Sequence, residues 1–286
     1  MTPQTLIAQL LEFARTAGQT AMNYQYKLQT KTNYLKNCAE VRTLVTKADL
    51  QISRQFRSFV ETHFAKLNPL IVDEESISIL GDKPFEKINA AEYVFIIDPI
   101  DGTLTYANHM ALYGISVGVY KNGKPYAGFL YAPALNLLVY ADDKDAYQAL
   151  FPFTPQETKT KLLPATQAPC ASPVFFISPK IVAMNDKWPD TQLVAMGFYS
   201  SVVHYAYVAT LNARAAMFNF SLWDIAGAYV IFDRLGIEVR SLTNGTLYTP
   251  FNVALYSDQL KVNDIYLVSQ PKDYALFKDI LVLRGK

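Results

Sequence analysis

Tyr93-Val94-Phe95-Ile96-Ile97-Asp98-Pro99-Ile100-Asp101-Gly102-Thr103 runs five β-branched or aromatic residues into an acid. So short an apolar run, without helical spacing, reads as a buried strand. Asp98 and Asp101 follow three positions apart, and Pro99 between them stiffens the backbone. Gly102 lets the main chain approach a ligand closely, and Thr103 adds a hydroxyl. Core packing explains acids at such a place poorly, because an unpaired buried carboxylate is strongly disfavoured. A hard divalent cation explains them: Mg²⁺ takes oxygen ligands and is often shared with a substrate phosphate. An Asp-Pro-x-Asp-Gly turn closing a strand explains them too. From this stretch alone both readings stand.

Outward from it, the pattern changes along the chain. Leu6, Ile7, Leu10, Leu11, Phe13, Ala14, Ala17 and Ala21 recur at helical spacing over residues 4–26. A loop with flanking lysines covers Asn33 to Val41. A second helix opens at Thr46-Lys47-Ala48-Asp49, with Thr46 as N-cap and Asp49 in the first turn, where the helix dipole favours an acid. Pro69 to Val72 reads as a strand running into Asp73-Glu74-Glu75-Ser76; three adjacent acids repel unless they are solvated or share a cation. After Leu112 the pattern is β, with Asn122-Gly123 as a hairpin turn. Gly118 to Lys124 fits G-x-x-x-x-G-K, but Pro125 stands where a P-loop needs Ser or Thr and no helix follows, so it is part of the hairpin.

Pro152 to Pro173, rich in Pro, Thr, Gln and Lys, is the expected seam between an N-terminal half (1–150) and a C-terminal half (151–286). Strands and helices alternate beyond it. Val174 to Ile177 is a strand, and Ser200-Ser201 cap a helix reaching about Arg214. Ala215 to Phe220 is a short strand. Ser221-Leu222-Trp223-Asp224 opens a helix ended by Gly236, again with an ordinary capping explanation for its acid. Ile265 to Ser269 reads as a strand and Lys272 to Val282 as a last helix.

The 286 residues, 51% hydrophobic and 18% charged, describe an ordered globule of one large domain or two tightly joined ones. A net charge of +1 gives no general field for nucleic acid or an anionic membrane, so any attraction for an anion is local. Cys38 and Cys170 have neither zinc spacing nor a disulfide framework. The start, Met1-Thr2-Pro3-Gln4, lacks the basic region of a secretory signal, and the longest charge-free window, Thr191 to Ala213, is too polar to span a membrane. The expectation is a soluble cytoplasmic protein. His63, His109 and His204 fall in no motif and are read as structural.

Four ordered segments carry a resemblance. Val45-Thr46-Lys47-Ala48-Asp49, Asp73-Glu74-Glu75-Ser76, Asp98 to Thr103 and Trp223-Asp224-Ile225-Ala226-Gly227-Ala228 resemble, in order and spacing, the motifs of the inositol monophosphatase family of Mg²⁺-dependent phosphatases. The third matches without a change; Asp73 stands in place of a family glycine in the second. The likeness covers about Leu6 to Gly236. It implies a layered αβαβα fold, with an antiparallel sheet in an N-terminal α+β half, a C-terminal α/β half, and metals between them. It implies that Glu74, Asp98 and the Ile100 carbonyl hold one Mg²⁺, that Asp98, Asp101 and Asp224 hold a second, and that Glu74 and Asp49 assist a weaker third.

Thr103 paired with Asp49 is implied to orient and deprotonate the attacking water, with Glu75 as the other candidate base. Asp101, Gly102 and Thr103 are placed at the phosphate, the last two through main-chain N–H groups. The resemblance further implies a homodimer and inhibition by Li⁺. The departures lie on the alcohol side. Ala215 to Phe220 lacks the acid that contacts an inositol ring, and Gly197-Phe198-Tyr199-Ser200-Ser201 replaces a Gly-Ser/Thr-Ala segment, leaving Ser200 and Ser201 as substrate contacts. Fructose 1,6-bisphosphate and 3′-phosphoadenosine 5′-phosphate are alternative substrates. A non-catalytic metal- or phosphate-binding regulator is the alternative class, which phosphatase assays with and without Mg²⁺ separate.

Overall fold

The computed structural model describes residues 2–28, 47–184, 192–257 and 259–278. Thr46, the Asn33–Val41 loop, Cys38 and the end of the expected last helix lie outside them. Two helices come first, α1 (Pro3–Leu28) and α2 (Lys47–Phe64). Then follow β1 (Leu70–Asp73), α3 (Pro84–Ala90), β2 (Tyr93–Asp101), the one-turn α4 (Thr103–Ala107), and β3 (Gly114–Lys121). The meander continues through β4 (Lys124–Ala132), β5 (Leu137–Ala141), β6 (Ala146–Leu150) and β7 (Thr158–Lys161). Next come β8 (Val174–Ile177), α5 (Pro179–Met184), β9 (Val194–Met196), α6 (Ser201–Ala209) and β10 (Ala215–Phe218). α7 (Leu222–Leu235), β11 (Glu238–Ser241), β12 (Tyr266–Ser269) and α8 (Tyr274–Phe277) complete the order.

The strands form two sheets, one in the order β1-β2-β3-β4-β5-β6-β7 and one in the order β11-β12-β10-β8-β9. β2 is apolar without alternation because both its faces are covered. Tyr93, Phe95 and Ile97 point to the α1/α2 layer, packing with Phe13, Phe56 and Phe64. Val94 and Ile96 point the other way, into a middle layer built from Val202, Tyr205, Ala226, Val230 and Phe232 of α6 and α7. That layer also takes Phe176, Ala216 and Val268 from the second sheet. Phe175, Ile177, Met217 and Leu267 face outward onto Ile181 of α5 and Phe277 of α8. The layering is therefore αβαβα. α7 is apolar nearly all round because it lies between two sheets.

Three expectations need correction. The first sheet is not wholly antiparallel: β1 runs parallel to β2, pairing Asp73 with Ile97. β1 is joined to β2 through a 3₁₀ turn and α3, a crossover and not a hairpin, so nothing forces the two strands to run antiparallel. The helix begun at Ser201 stops at Ala209, well short of Arg214, where Thr210 caps it and Leu211 adopts a left-handed φ of 62°. The last helix starts at Tyr274 and not at Lys272, which lies in a 3₁₀ turn at Pro271–Asp273; its expected end at Val282 lies outside the described residues. Asn122-Gly123 does turn the β3–β4 hairpin, with φ values of 50° and 73°. β7 adds an edge to the first sheet from beyond residue 150. Among the described residues no helix is long and apolar enough to cross a membrane.

Candidate active site

The acids of interest sit at or near the ends of elements. Parallel pairing of β1 with β2 carries the chain one step past the Asp73–Ile97 pair, which sets Glu74 beside Asp98. The two carboxyl groups stand close enough for each to act on the other's charge. Pro99 has no N–H for the ladder, and the β2–β3 register shifts between Asp98 and Asp101. Such a bulge re-aims side chains, and here it brings both aspartates to one place. Gly102 then turns the chain into α4 at a φ of +85°. A methyl group built on Gly102 would meet the Tyr199 carbonyl oxygen at 2.6 Å, so both conformation and space require glycine. Thr103 Oγ1 donates to the Ile100 carbonyl at 3.1 Å.

The second half of the chain reaches the same point through two helix starts. Asp101 is buried and receives the N-terminus of α6: Ser201 N donates to Oδ1 at 3.0 Å, Val202 N donates to Oδ2 at 2.7 Å, and the Ser200 hydroxyl donates to Oδ2. Ser200 and Ser201 are thus bound to Asp101. Asp224 accepts from Ser221 N at 2.7 Å, the capping contact expected from sequence, while remaining near the other acids. Oxygens of Asp98, Asp101 and Asp224 all lie within 4.8 Å of one another. What sets this distance is close packing of α7 on the first sheet, where Gly227 faces Ser116 and the Val117 and Phe129 carbonyls, and Gly118 faces Ala226.

Glu74 and Glu75 follow β1 in a 3₁₀ turn, Glu74–Leu80, capped by Asp73. Asp73 is buried and fully engaged. It accepts from Glu75 N at 3.1 Å, Ser76 Oγ at 3.0 Å and the Ser53 hydroxyl, and pairs with Arg57 at 3.2 Å. In the sequence Asp73 is only a departure from a family glycine; its positioning role depends on Ser53 and Arg57 standing one turn apart on α2. Asp49, on the first turn of the same helix, is buried and close enough for its charge to act on Glu74, Glu75 and Asp98.

Charge crowding and burial raise these carboxyl groups. Burial, then the Glu74, Asp101, Asp224 and Asp49 charges, hold the Asp98 carboxyl well above the usual range. Burial and then Asp224 and Glu75 raise Glu74. Asp224 is pushed up to about 7 by burial and Asp101, and Glu75 to about 7 by burial, Asp49 and Asp73. Asp101 reaches only about 6, because its donors from Ser200, Val202 and Ser201 offset part of the burial effect. Asp98 Oδ1 is buried without a hydrogen-bond partner among the described residues. Hard oxygen donors, mutual repulsion and an unpartnered carboxylate oxygen fit Mg²⁺. His204 is different: it lies buried among the rings of Phe176, Phe198 and Phe218, and burial pushes it down to about 3.

Acids raised in the fold bind protons that the unfolded chain releases, so without metal stability falls as pH rises from the ordinary carboxylate range through about 7. In EDTA the melting temperature is expected to drop between pH 5.5 and 8. Added Mg²⁺ should recover it, more at pH 8 than at 5.5, because cation and protons compete for the same oxygens. Thermal unfolding at both pH values checks this; a Mg²⁺ effect independent of pH sinks it.

Known proteins resemble this chain in sequence and in fold. The model of the inositol monophosphatase family matches residues 2–271. Inositol-1-monophosphatase of Bacillus subtilis is 25% identical over 228 residues, 76% of each chain. A fructose-1,6-bisphosphatase/inositol-1-monophosphatase of Thermotoga maritima is 31% identical over 102 residues, 36% of this chain and 35% of its own. The match thus spans about a third of that relative's length. An IMPase/NADP phosphatase solved with Mg²⁺ and phosphate overlays with a TM-score of 0.70 at 18% identity, covering 100% of this chain and 98% of its own. With its motifs, layers and acid cluster in that family's order, this chain belongs to the inositol monophosphatase family.

Proposed function

We propose that the protein is a Mg²⁺-dependent phosphatase that hydrolyses a small phosphate monoester, with inositol monophosphates as the first substrate class. One observation carries the reading: acids from β2 and α7, far apart in sequence, present oxygens within 4.8 Å of one another. Glu74, Asp98 and the Ile100 carbonyl would hold one Mg²⁺, Asp98, Asp101 and Asp224 would hold another, and Glu74 with Asp49 would assist a third. Bound Mg²⁺ supplies a lowered pKa for water and charge neutralisation at the phosphate. Thr103 and Asp49 orient the attacking water and take its proton. Glu75, near neutrality at about 7, is the second base. Main-chain N–H groups of Gly102 and Thr103, beside Asp101, face the phosphate oxygens. Residues 1–150 supply all of these but Asp224, which comes from the half 151–286, and the unit in solution is a cytoplasmic homodimer.

A second reading of the substrate rests on the alcohol side. Ala215 to Phe220 offers no acid, and the Asn219 amide already donates to the Val262 and Asp264 carbonyls. That favours a leaving group other than an inositol ring, such as a fructose bisphosphate or a 3′,5′-bisphosphate nucleotide. Measuring kcat/KM for inositol 1-phosphate, fructose 1,6-bisphosphate and 3′-phosphoadenosine 5′-phosphate, each with Mg²⁺ and with EDTA, decides between them. Absence of Mg²⁺-dependent hydrolysis across the panel leaves a non-catalytic binder. Thr103→Ala is expected to keep Mg²⁺ affinity while kcat falls by about 10²–10⁴-fold, the range for lost acid–base assistance. An unchanged kcat removes Thr103 from that role.

A further inference from the structure

We infer that Ser116 is a positioning residue for Asp98, its hydroxyl donating to the Asp98 carboxylate when a divalent cation is held there. Ser116 lies on β3 directly opposite Asp98 of β2 in the antiparallel register. Residues so opposed project to the same face, with Cβ atoms about 4.5–5.5 Å apart. The face is the one under α7: Val94, Ile96 and Tyr120, in step with Asp98 and Ser116 on their strands, all pack into the middle layer.

Ser116 has no exposed surface, and its Oγ has no hydrogen-bond partner among the described residues. Asp98 Oδ1 is buried and unpartnered in the same way. A buried hydroxyl without a partner is disfavoured unless another state uses it. α7 closes over this one: a methyl group on Gly227 would sit 2.6 Å from Ser116 Oγ, which leaves little room for water from that side. A cation held at Asp98 keeps its carboxylate an acceptor only. A change of the Ser116 side-chain rotamer would then bring its hydroxyl, a donor, to Asp98. Such a donor fixes the direction of the carboxylate, as partners behind metal ligands do elsewhere.

The inference rests on the reading of Asp98 as a Mg²⁺ ligand. Its test is Ser116→Ala in the full chain, with the Mg²⁺ dissociation constant measured by titration calorimetry and the melting temperature measured in EDTA. The expected result is a dissociation constant raised about tenfold, at the lower end of losses behind metal ligands. The metal-free melting temperature should be unchanged or higher, since the variant removes an unpartnered hydroxyl. Wild-type binding with the same affinity in the variant overturns this inference alone. A lower metal-free melting temperature also overturns it, by assigning Ser116 to packing. A wild-type protein that binds no Mg²⁺ overturns the phosphatase reading with it.

Discussion

Asp98→Asn should lower turnover by at least about 10³-fold at saturating Mg²⁺ while raising the melting temperature of the metal-free protein. The two effects share one cause. Asp98 is buried among Glu74, Asp101, Asp224 and Asp49, all of which raise its carboxyl above the ordinary range. Its negative charge is therefore strongly disfavoured when no cation is near, and removing it relieves the rest. With Mg²⁺ the balance reverses, because Asp98 is the ligand proposed to touch both ions and an amide brings no charge to either. Metal ions supply several kcal/mol of charge stabilisation to such reactions, and about 4 kcal/mol is 10³ in rate. Steady-state rates, Mg²⁺ titration and unfolding in EDTA test the two halves separately. A variant with near-normal turnover would take Asp98 out of the metal shell.

Gly227→Val acts from the opposite side of the same cluster. The new Cβ would meet the Phe129 carbonyl at 2.7 Å, the Val117 carbonyl at 2.9 Å and Ser116 Oγ at 2.6 Å. Two of these are backbone atoms within paired strands, which cannot yield without loosening the β3–β4 ladder. Overpacking of this kind costs about 3 kcal/mol, and at roughly 2–4 °C per kcal/mol for a chain of this size the melting temperature should fall by about 10 °C. Asp224 lies three residues, nearly one turn, before Gly227 on α7, so lifting the helix also moves its carboxylate away from Asp98 and Asp101. Weaker Mg²⁺ binding should accompany the lost stability. A variant that melts like the wild type would show that α7 does not depend on this contact.

Much of the site is legible in the sequence because its chemistry sits in local motifs. An apolar run into Asp98, a proline and a glycine state a strand end and a tight turn wherever they occur. Likewise Ser221, Asp224 and Gly236 mark a helix's two ends by capping rules that need no tertiary context. Other features are not local. The parallel direction of β1 follows from its crossover to β2 through α3, and short apolar strands carry no sign of direction. Ser116 looks like any small strand residue until the register sets it opposite Asp98. Asp73 reads as a substitution for glycine until Ser53 and Arg57 are found against it.

The amino-acid order by itself determined which residues are acids, which elements carry them and which family's motifs they spell. Their convergence was decided by the tertiary structure alone. A carboxylate's position depends on strand direction, on the shift at Pro99 and on how closely α7, at Ala226 and Gly227, approaches the first sheet at Gly118. Each of these is a packing distance between segments remote in the chain, and a sequence fixes such distances only through the whole fold.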